Sequence, residues 1–454
     1  MYIVIVGDGK VGYTLAKHLS EEGNDVVIID KNMEALKRTT DNLDVMCIKG
    51  SGTSVKVLKE AEVNRADVMI AVTNRDERNA LCCLLAKKLG AKYTIARIRD
   101  PEYASELNIL KNELGMDMVI NPEREAALEI GKLIKFPSIC SVENFADGNV
   151  DLVSFRLVSG DNIVGKPISE IKFPKTSVII CAVEREHEVF IPTGDFVLEE
   201  NDKIYVIGDH DNIETFLKNL RRYKKRVKNV MISGGGKIAY YLTESISKIG
   251  AKVTIVEKEY DRCEKLNELL PEAIIINGDG TDQDFLESEN LKEMDAFIAL
   301  TGRDEENLIS SLFALNAKVN NVIAKITRVN YNGIVKQVGV QSVVSPKMVT
   351  ANKIIGYLRA LKNKNGSSIK NLYKIVEEKA EALEFLANET TKCLNIPLKD
   401  INFKKGVLVA AIVRDSKTII PGGNDCIKNG DGVILVTDRK NVMDINEILM
   451  ERGV

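Results

Sequence analysis

Residues 3–12 read Ile3-Val4-Ile5-Val6-Gly7-Asp8-Gly9-Lys10-Val11-Gly12, a short apolar run followed directly by a GxGxxG pattern. This order predicts a buried strand, a tight glycine turn and the start of a helix. Because glycine has no Cβ, the backbone N–H groups of such a turn and the helix N-terminus can approach a pyrophosphate closely. The next apolar run ends at Asp30, where a carboxylate can accept hydrogen bonds from ribose hydroxyls and disfavours a 2′-phosphate.

The glycine pattern occurs twice in the chain. Val230-Met231-Ile232-Ser233 leads into Gly234-Gly235-Gly236-Lys237-Ile238-Ala239, and Glu257 ends the apolar run that follows. A lone GxGxxG is a weak signal, but a preceding strand, a following helix, an acid at the right interval and repetition of the whole set make it strong. Strand and helix patterns alternate in both copies, so each copy is predicted to be a Rossmann-like, doubly wound parallel sheet in an α/β protein.

Two smaller β-rich segments, 141–210 and 372–438, also align with each other. A chain of 454 residues is long enough for about three or four domains. The predicted domains are a first Rossmann-like nucleotide-binding domain at 1–137, a small α+β module at 138–222, a second Rossmann-like domain at 228–362 and a second small module at 366–454. We interpret the basic run at 221–228 as a solvated helix end and linker.

Composition excludes several classes of function. A formal net charge of -3 provides no global basic field, so nucleic acid is not an expected partner. No apolar run reaches the roughly 18 residues of a membrane-spanning helix. The eight cysteines form no CxxC pair and the chain has three histidines, so neither a zinc site nor a disulfide framework is predicted, and reduced thiols in the cytoplasm are expected.

Candidate ligand-binding residues follow the strand ends in both copies, because open α/β sheets bind ligands at the carboxyl ends of their strands. In the first copy the candidates are Gly7, Asp8, Gly9, Lys10, Val11, Gly12, Asp30, Gly52, Thr53, Thr73, Asn74 and Arg97. In the second copy they are Gly234, Gly236, Lys237, Ile238, Glu257, Gly280, Thr281, Thr301 and Lys325.

The later candidates rest on different physical reasons. Thr73-Asn74 and Thr301 end the fourth strand of each copy, at the topological switch point where ligands bind. Arg97 and Lys325 end a buried strand, where a cation is costly without an anionic partner, and this favours phosphate binding. The segments 50–53 and 278–281 follow the third strand, near the adenine end of a dinucleotide, and a simple turn with a helix cap explains their threonines equally well.

Two departures from the glycine pattern distinguish the copies. Asp8 is expected to bring a carboxylate close to incoming phosphates, and so to weaken or retune binding, unless it points to solvent. Ala239 replaces the third glycine of the second copy, which is an accepted variant. The two sites are therefore predicted to differ in affinity or in nucleotide.

The chain resembles a known family in this order of segments and in three motifs: Thr-Asn-Arg-Asp-Glu at 73–77, Ala-Arg-Ile-Arg-Asp-Pro-Glu-Tyr at 96–103 and Ile-Pro-Thr-Gly-Asp at 191–195. These motifs are similar to the TrkA family, the nucleotide-binding regulatory subunits of Trk potassium-uptake systems, with two RCK (KTN) domains and two RCK-C domains. The resemblance covers essentially the whole chain. It implies a protein without catalysis, cytoplasmic and peripheral on the inner face of the cell membrane.

The resemblance also implies ligands and partners. NAD(H) is the expected ligand, with ATP or ADP as the alternative at one or both sites, and no metal is expected. The protein would assemble as a homo-oligomeric ring beneath a potassium-translocating membrane subunit of the TrkH or TrkG type, and ligand occupancy would open or close the pore. Cyclic di-AMP is a further ligand that the resemblance suggests for the RCK-C modules.

Two other functions stay open from sequence alone. An NAD-dependent oxidoreductase would need a substrate domain with a group that polarises or deprotonates the substrate. The three histidines have no counterparts in the other half of the chain, and the small modules show no paired acid and base. A soluble nucleotide sensor without a membrane partner is the other alternative. Apolar helices at 123–136 and 348–361 either pack on their own domain or cross to a neighbour.

Overall fold

The computed structural model describes residues 1–100, 115–135, 141–172, 176–186, 188–221, 227–328, 339–340, 342–362, 369–375 and 379–450. Residues 222–226 of the basic run, 101–103 of the second family motif and one of the three histidines, His187, lie outside these ranges. No helix within the described ranges is long and apolar enough to cross a membrane.

The first sheet has six parallel strands: β1 (Tyr2–Val6), β2 (Asp25–Asp30), β3 (Met46–Lys49), β4 (Val68–Ala71), β5 (Tyr93–Arg97) and β6 (Met118–Ile120). They lie in the order β3-β2-β1-β4-β5-β6, so the strand order reverses between β1 and β4. The helices are α1 (Lys10–Glu21), α2 (Met33–Asn42), α3 (Val55–Glu60), α4 (Asp76–Leu89) and α5 (Pro122–Lys135). Ile3, Val4 and Ile5 are fully buried, as expected for a parallel strand covered on both faces.

The first small module has an antiparallel sheet and one helix. Its elements are β7 (Ser141–Phe145), β8 (Val150–Arg156), β9 (Ile179–Arg185), β10 (Glu188–Phe190), β11 (Lys203–Gly208) and α6 (His210–Asn219). The strands lie in the order β10-β9-β11-β8-β7. Asp209 caps α6, because its carboxylate accepts the N–H of Asn212 at 2.8 Å.

The second Rossmann-like unit repeats the first. Its strands are β12 (Asn229–Ser233), β13 (Lys252–Glu257), β14 (Ile274–Asn277), β15 (Ala296–Ala299), β16 (Asn321–Lys325) and β17 (Ser342–Val344), and its helices are α7 (Lys237–Ser247), α8 (Tyr260–Leu269), α9 (Gln283–Ser288), α10 (Asp304–Asn316) and α11 (Pro346–Lys362). The strand order β14-β13-β12-β15-β16-β17 matches that of the first sheet. The predicted pair of doubly wound parallel sheets is confirmed.

The second small module is an antiparallel sheet of β18 (Ile369–Ile375), β19 (Ala380–Leu386), β20 (Val407–Arg414), β21 (Lys417–Ile419) and β22 (Gly432–Thr437), in the order β18-β19-β22-β20-β21. The two small modules share one hydrophobic core, in which Phe145 and Tyr205 of the first pack with Ala382 and Val436 of the second. Hydrogen bonds join them too: the N–H of Ala146 donates to Glu384 at 2.9 Å.

Contacts group the chain into two compact units. The first comprises Met1–Ala127 together with Ser345–Ile355, and the second comprises Leu128–Val344 with Gly356–Val454. In the first unit, Lys353 of α11 lies 2.6 Å from the carboxylate of Glu125 on α5. In the second unit, Arg359 of α11 is fully buried and donates to both carboxylate oxygens of Glu381. The four domain boundaries given above stay a prediction.

Candidate nucleotide sites

A cavity of about 420 Å³ lies at the carboxyl edge of the first sheet, where the strand order reverses. It is lined by Val6, Gly7, Gly9, Lys10, Val11, Ile29, Asp30, Lys31, Gly50, Ser51, Gly52, Val72, Thr73, Asn74, Arg78 and Arg97. The structure thus brings together nine of the twelve first-copy candidates. Asp8, Gly12 and Thr53 are not part of the lining.

The glycine turn needs its glycines for two separate reasons. Gly7 has φ +108° and Gly234 has φ +100°, a conformation that side chains with a Cβ rarely adopt. Gly9 and Gly236 have ordinary extended backbone, but a Cβ on either would meet no atom within 4 Å. The second glycine of each turn therefore faces open space at the start of its helix, which is where a phosphate can approach the backbone.

Gly12 and Gly52 allow neighbouring segments to pack closely against the glycine turn and the strand before it. A Cβ on Gly12 would overlap the carbonyl oxygen of Gly7, and one on Gly52 would overlap the side chain of Val6. Gly12 therefore lets α1 pack closely against the turn, the role expected of the third glycine. In the second copy Ala239 fills this position and is fully buried.

The two ribose-binding candidates also hold the glycine turns in place. Asp30 accepts the N–H of Asp8 at 2.6 Å through one oxygen and the N–H of Asn32 at 2.8 Å through the other. Glu257 accepts the N–H of Gly235 at 2.7 Å and that of Glu259 at 2.9 Å in the same way. Each carboxylate oxygen has a second lone pair, so both acids can still accept from ribose hydroxyls.

Asp8 adopts an arrangement that the sequence did not suggest. Its side chain is 2% exposed and accepts the hydroxyl hydrogen of Thr39 on α2 at 2.6 Å, so it points neither to the cavity nor to solvent. Burial raises the pKa of the Asp8 carboxyl, against the opposing hydrogen bond from Thr39 and the charge of Arg38. Its other oxygen, Oδ1, has no hydrogen-bond partner among the described residues.

The threonines that follow the third strand bond to their own turns. The hydroxyls of Thr53 and Ser51 lie 2.9 Å apart, and the Thr281 hydroxyl donates to Asp279 at 2.6 Å. A Cβ on Gly280 would overlap the side chain of Ser233 on β12, just as a Cβ on Gly52 would overlap the side chain of Val6 on β1. These glycines bring the third-strand turn close to the first strand of each sheet.

A buried asparagine fixes each threonine at the topological switch point. Asn79 accepts the N–H of Thr73 at 2.8 Å and its hydroxyl hydrogen at 2.7 Å, and donates to the carbonyl of Arg97 at 2.8 Å. Asn307 accepts from the N–H of Thr301 at 2.8 Å and donates to the carbonyl of Lys325 at 2.9 Å. Both asparagines join the fourth strand's end to the fifth.

Arg97 places a poorly solvated cation at the cavity. Its guanidinium donates to the carbonyl of Thr73, and its Nε is buried with no partner among the described residues. Burial lowers the pKa of the Arg97 guanidinium. A buried donor on a permanently charged group favours an anionic ligand in the cavity. In the second copy, Lys325 donates to the carbonyl of Leu300 at 3.2 Å.

Three polar side chains that line the cavity were not among the site candidates: Lys31, Arg78 and Ser51. Ser51 lies in the segment 50–53, which the sequence placed near the adenine end of a dinucleotide. Lys31 follows the predicted ribose-binding acid directly, so its position was a usable signal. Arg78 lies in the first turn of α4, whose N-terminus faces the cavity. A cation there opposes the helix dipole, which is a reason to expect that it faces a ligand.

Comparison with known proteins places this fold in a class. The TrkA-N domain family matches residues 3–122 and 230–346, and the TrkA-C domain family matches 152–221 and 382–450. The solved GsuK RCK domain has a TM-score of 0.63 over 96% of this chain and 92% of its own, at 18% identity. The structure described as the GsuK channel bound to NAD also has a TM-score of 0.63, covers 96% of this chain and 76% of its own, and is 17% identical. The chain is an RCK-fold protein with two Rossmann-like units.

Full-length relatives define the family. The chain is 36% identical to Trk system potassium uptake protein TrkA homolog 1 of Methanosarcina mazei, over 96% of this chain and 97% of the relative. It is 31% identical to the Trk system potassium uptake protein TrkA of Halomonas elongata, over 99% and 98%. The chain belongs to the TrkA family of Trk system potassium uptake proteins. The predicted family is confirmed, and membership of it also bears out the prediction that the chain is not an enzyme.

Proposed function

We propose that this chain is a cytoplasmic nucleotide-binding gating subunit of a Trk-type potassium uptake system, peripheral on the inner face of the membrane. It couples nucleotide binding to potassium movement through a separate membrane subunit of the TrkH or TrkG type, and it assembles as a homo-oligomeric ring. Family membership supports the link to potassium uptake. The first cavity, with Arg97 and the open second glycine facing it, is the observation that carries nucleotide binding.

The proposed ligand is NAD(H), with ATP or ADP as the alternative at one or both sites. Gly9, Lys10 and the start of α1 would bind the pyrophosphate, Asp30 the adenine ribose, and Thr73, Asn74 and Arg97 the distal phosphate and nucleoside. Val11 and Gly52 would contribute to the apolar walls. GsuK structures have been solved with NAD and with ADP, so the same fold carries both classes of nucleotide in that protein.

The second site would use the equivalent residues. Gly234, Gly236, Lys237 and Ile238 would form the phosphate turn, and Glu257 would bind ribose. Gly280, Thr281, Thr301 and Lys325 follow the third, fourth and fifth strands of the same sheet. Gating requires that the nucleotide bind two states of the assembly with different affinity.

Calorimetry on the full chain tests nucleotide binding. NAD, NADH, ATP and ADP are titrated against the unaltered protein and against Asp30→Ala and Glu257→Ala variants. We expect dissociation constants well below 1 mM for at least one nucleotide, weakened by about tenfold or more when an acid is removed. Binding weaker than millimolar for all four would refute nucleotide sensing. Binding untouched by both substitutions would refute the site assignment.

A potassium uptake assay tests the membrane role. Cells that lack the chain should recover uptake with the unaltered protein and should fail to recover it with a binding-deficient variant. The chain should also copurify with a potassium-translocating membrane protein. If nucleotides bind but neither uptake nor copurification depends on the chain, it is a soluble sensor instead. Turnover of NAD with a hydroxy acid that scaled with protein concentration would favour the oxidoreductase.

A further inference from the structure

The charges that surround the first cavity are strongly unbalanced. Four cationic side chains line it: Lys10, Lys31, Arg78 and Arg97. Asp30 is the one carboxylate in its lining. Lys10, Lys31 and Arg78 form no ion pair within the described part of the chain. The lining therefore carries a net positive charge, with four cations against one carboxylate, which suits a ligand with several phosphate charges.

Acids occupy two of the equivalent positions in the second unit. Arg78 is the third residue of α4, and the third residue of α10 is Glu306. The turn Gly50-Ser51-Gly52 corresponds to Gly278-Asp279-Gly280, so Asp279 stands where the first cavity has Ser51. One substitution replaces a cation with an anion, and the other introduces a new anion.

One of the cations of the second site, Lys258, is partly neutralised. Lys258, the counterpart of Lys31, places its Nζ 2.8 Å from a carboxylate oxygen of Asp279. The hydrogen bond from Lys258 lowers the pKa of Asp279 to about 2, so this carboxylate is ionised at neutral pH. Glu306 is close enough that its charge contributes to the raised pKa of Lys258. The two acids that distinguish the second site, Asp279 and Glu306, thus both lie within electrostatic reach of Lys258.

Two further charge differences between the copies have the opposite sign, because they make the first turn more negative and the second more positive. Asp8 adds an acid to the first glycine turn, and Arg262 adds a cation to the second, where its Nε donates to the carbonyl of Gly235 at 2.8 Å. Asp8 points away from the cavity toward Thr39. The guanidinium of Arg262 is engaged by the turn's own carbonyl. These two charges are therefore each held by protein groups. Glu306 also lies 3.4 Å from the guanidinium of Arg303, but that ion pair is solvent-exposed and weak.

We propose that the first site takes a nucleotide with a free terminal phosphate, and that the second takes a dinucleotide, whose pyrophosphate is esterified at both ends. Arg78 binds the terminal phosphate by charge-assisted hydrogen bonds. Glu306 repels a third phosphate and accepts hydrogen bonds from the hydroxyls of a second nucleoside. The assignment rests on the proposed function, because it assumes that both units bind nucleotides.

The test isolates each site within the full chain. Gly236→Glu blocks the phosphate space of the second site and leaves the first site open. Gly9→Glu blocks the first site and leaves the second open. Both glycines have extended backbone and room for a Cβ, so each glutamate enters the phosphate space without straining the fold. We expect the Gly236→Glu protein to bind ATP at least tenfold more tightly than NAD, and the Gly9→Glu protein to reverse that order.

Charge exchange then identifies the residues responsible. In the Gly236→Glu background, Arg78→Glu should weaken ATP binding by about tenfold or more and change NAD binding by less than about threefold. In the Gly9→Glu background, Glu306→Arg should strengthen ATP binding by a similar factor. Arg75→Glu is the matched control, because Arg75 is exposed, precedes the same helix and does not line the cavity. It should leave both affinities nearly unchanged.

Calorimetry at two salt concentrations, with circular dichroism to verify folding, distinguishes the outcomes. If both isolated sites rank ATP and NAD in the same order, or if Arg75→Glu acts as strongly as Arg78→Glu, the charge assignment is wrong while nucleotide binding stands. If a Gly9→Glu/Gly236→Glu double variant folds and still binds nucleotides as the unaltered chain does, the sites lie elsewhere. If the unaltered chain binds nothing, the proposed function itself fails.

Discussion

The two glycine turns each pack against the second helix of their unit, but through residues of different chemistry. In the first, Asp8 bonds to Thr39 on the following helix. In the second, Gly235 stands at the position of Asp8 and Leu266 at that of Thr39, and a Cβ on Gly235 would overlap Cδ1 of Leu266. A polar pair in one copy is thus matched by a small residue against a large apolar one in the other. The two residues of each pair fit one another, because each determines how much room its partner has.

The largest effect is expected from transferring one half of this pair. Gly235→Asp places a carboxylate against Leu266, where it has too little space and lies beside the carboxylate of Glu257. We expect the free energy of unfolding to fall by about 2–4 kcal/mol, from overpacking and an unpaired buried charge. Adding Leu266→Thr should restore more than half of the loss. Chemical denaturation of both variants measures this, and an equal loss with and without Leu266→Thr would mean that the positions are independent.

The third glycine provides a second contrast. Gly12→Ala brings a Cβ onto the carbonyl oxygen of Gly7, although the second copy carries Ala239 at this position. We expect a loss of about 1–3 kcal/mol of stability together with weaker nucleotide binding at the first site. The reverse change, Ala239→Gly, should cost only about 1 kcal/mol through helix propensity and should leave binding at the second site intact. Similar penalties for the two changes would show that both turns have the same geometry.

Removing the buried cation separates binding from stability. Arg97→Gln should weaken nucleotide binding at the first site by about tenfold or more, since a charge-assisted bond to phosphate is lost. Burial lowers the pKa of Arg97, so the charged form is disfavoured in the unliganded fold, and stability without nucleotide should be unchanged or slightly higher. Thermal unfolding with and without nucleotide measures both the stability of the unliganded protein and the stabilisation by bound nucleotide. A large loss of unliganded stability would make Arg97 a structural residue.

The smallest effect concerns pH. Burial raises the folded-state pKa of Asp8 above its ordinary value of 3.8, so the folded chain binds this proton more readily than the unfolded chain. The stability of the unaltered protein relative to Asp8→Asn should therefore rise as pH falls through the raised value and level off below 3.8. Asp30, Arg38 and Cys47 also face this group and are common to both proteins. A difference independent of pH would contradict a titrating Asp8.

The sequence predicted the parallel sheets because their determinants are local. Apolar runs, glycine turns and terminal acids recur at intervals set by the strand and helix lengths, and the structure places Gly9, Asp30, Thr73 and Arg97 around one cavity. The direction of Asp8 could not be predicted in this way. It depends on Thr39, which belongs to another element and carries no motif.

Long-range packing was equally hidden. From the sequence alone, Asn79 could be placed only near the start of a helix. In the structure its side chain joins Thr73 to Arg97 across the ends of two strands. The alignment of the two small modules showed that they are alike and not that they share a core, in which Phe145 packs with residues of the other module. Periodicity identifies the apolar face of a strand, whereas its partner is decided by the tertiary fold.

The grouping of 345–355 with the first unit has a consequence for how the chain can be divided. A gene cut between the two repeats would yield an amino-terminal product without that helical segment and without Lys353, the ion-pair partner of Glu125. In the other product, α11 would lose its contacts with the first unit, and the surface that makes them would be exposed. Although the two halves repeat the same order of domains, each depends on the other for its complete structure.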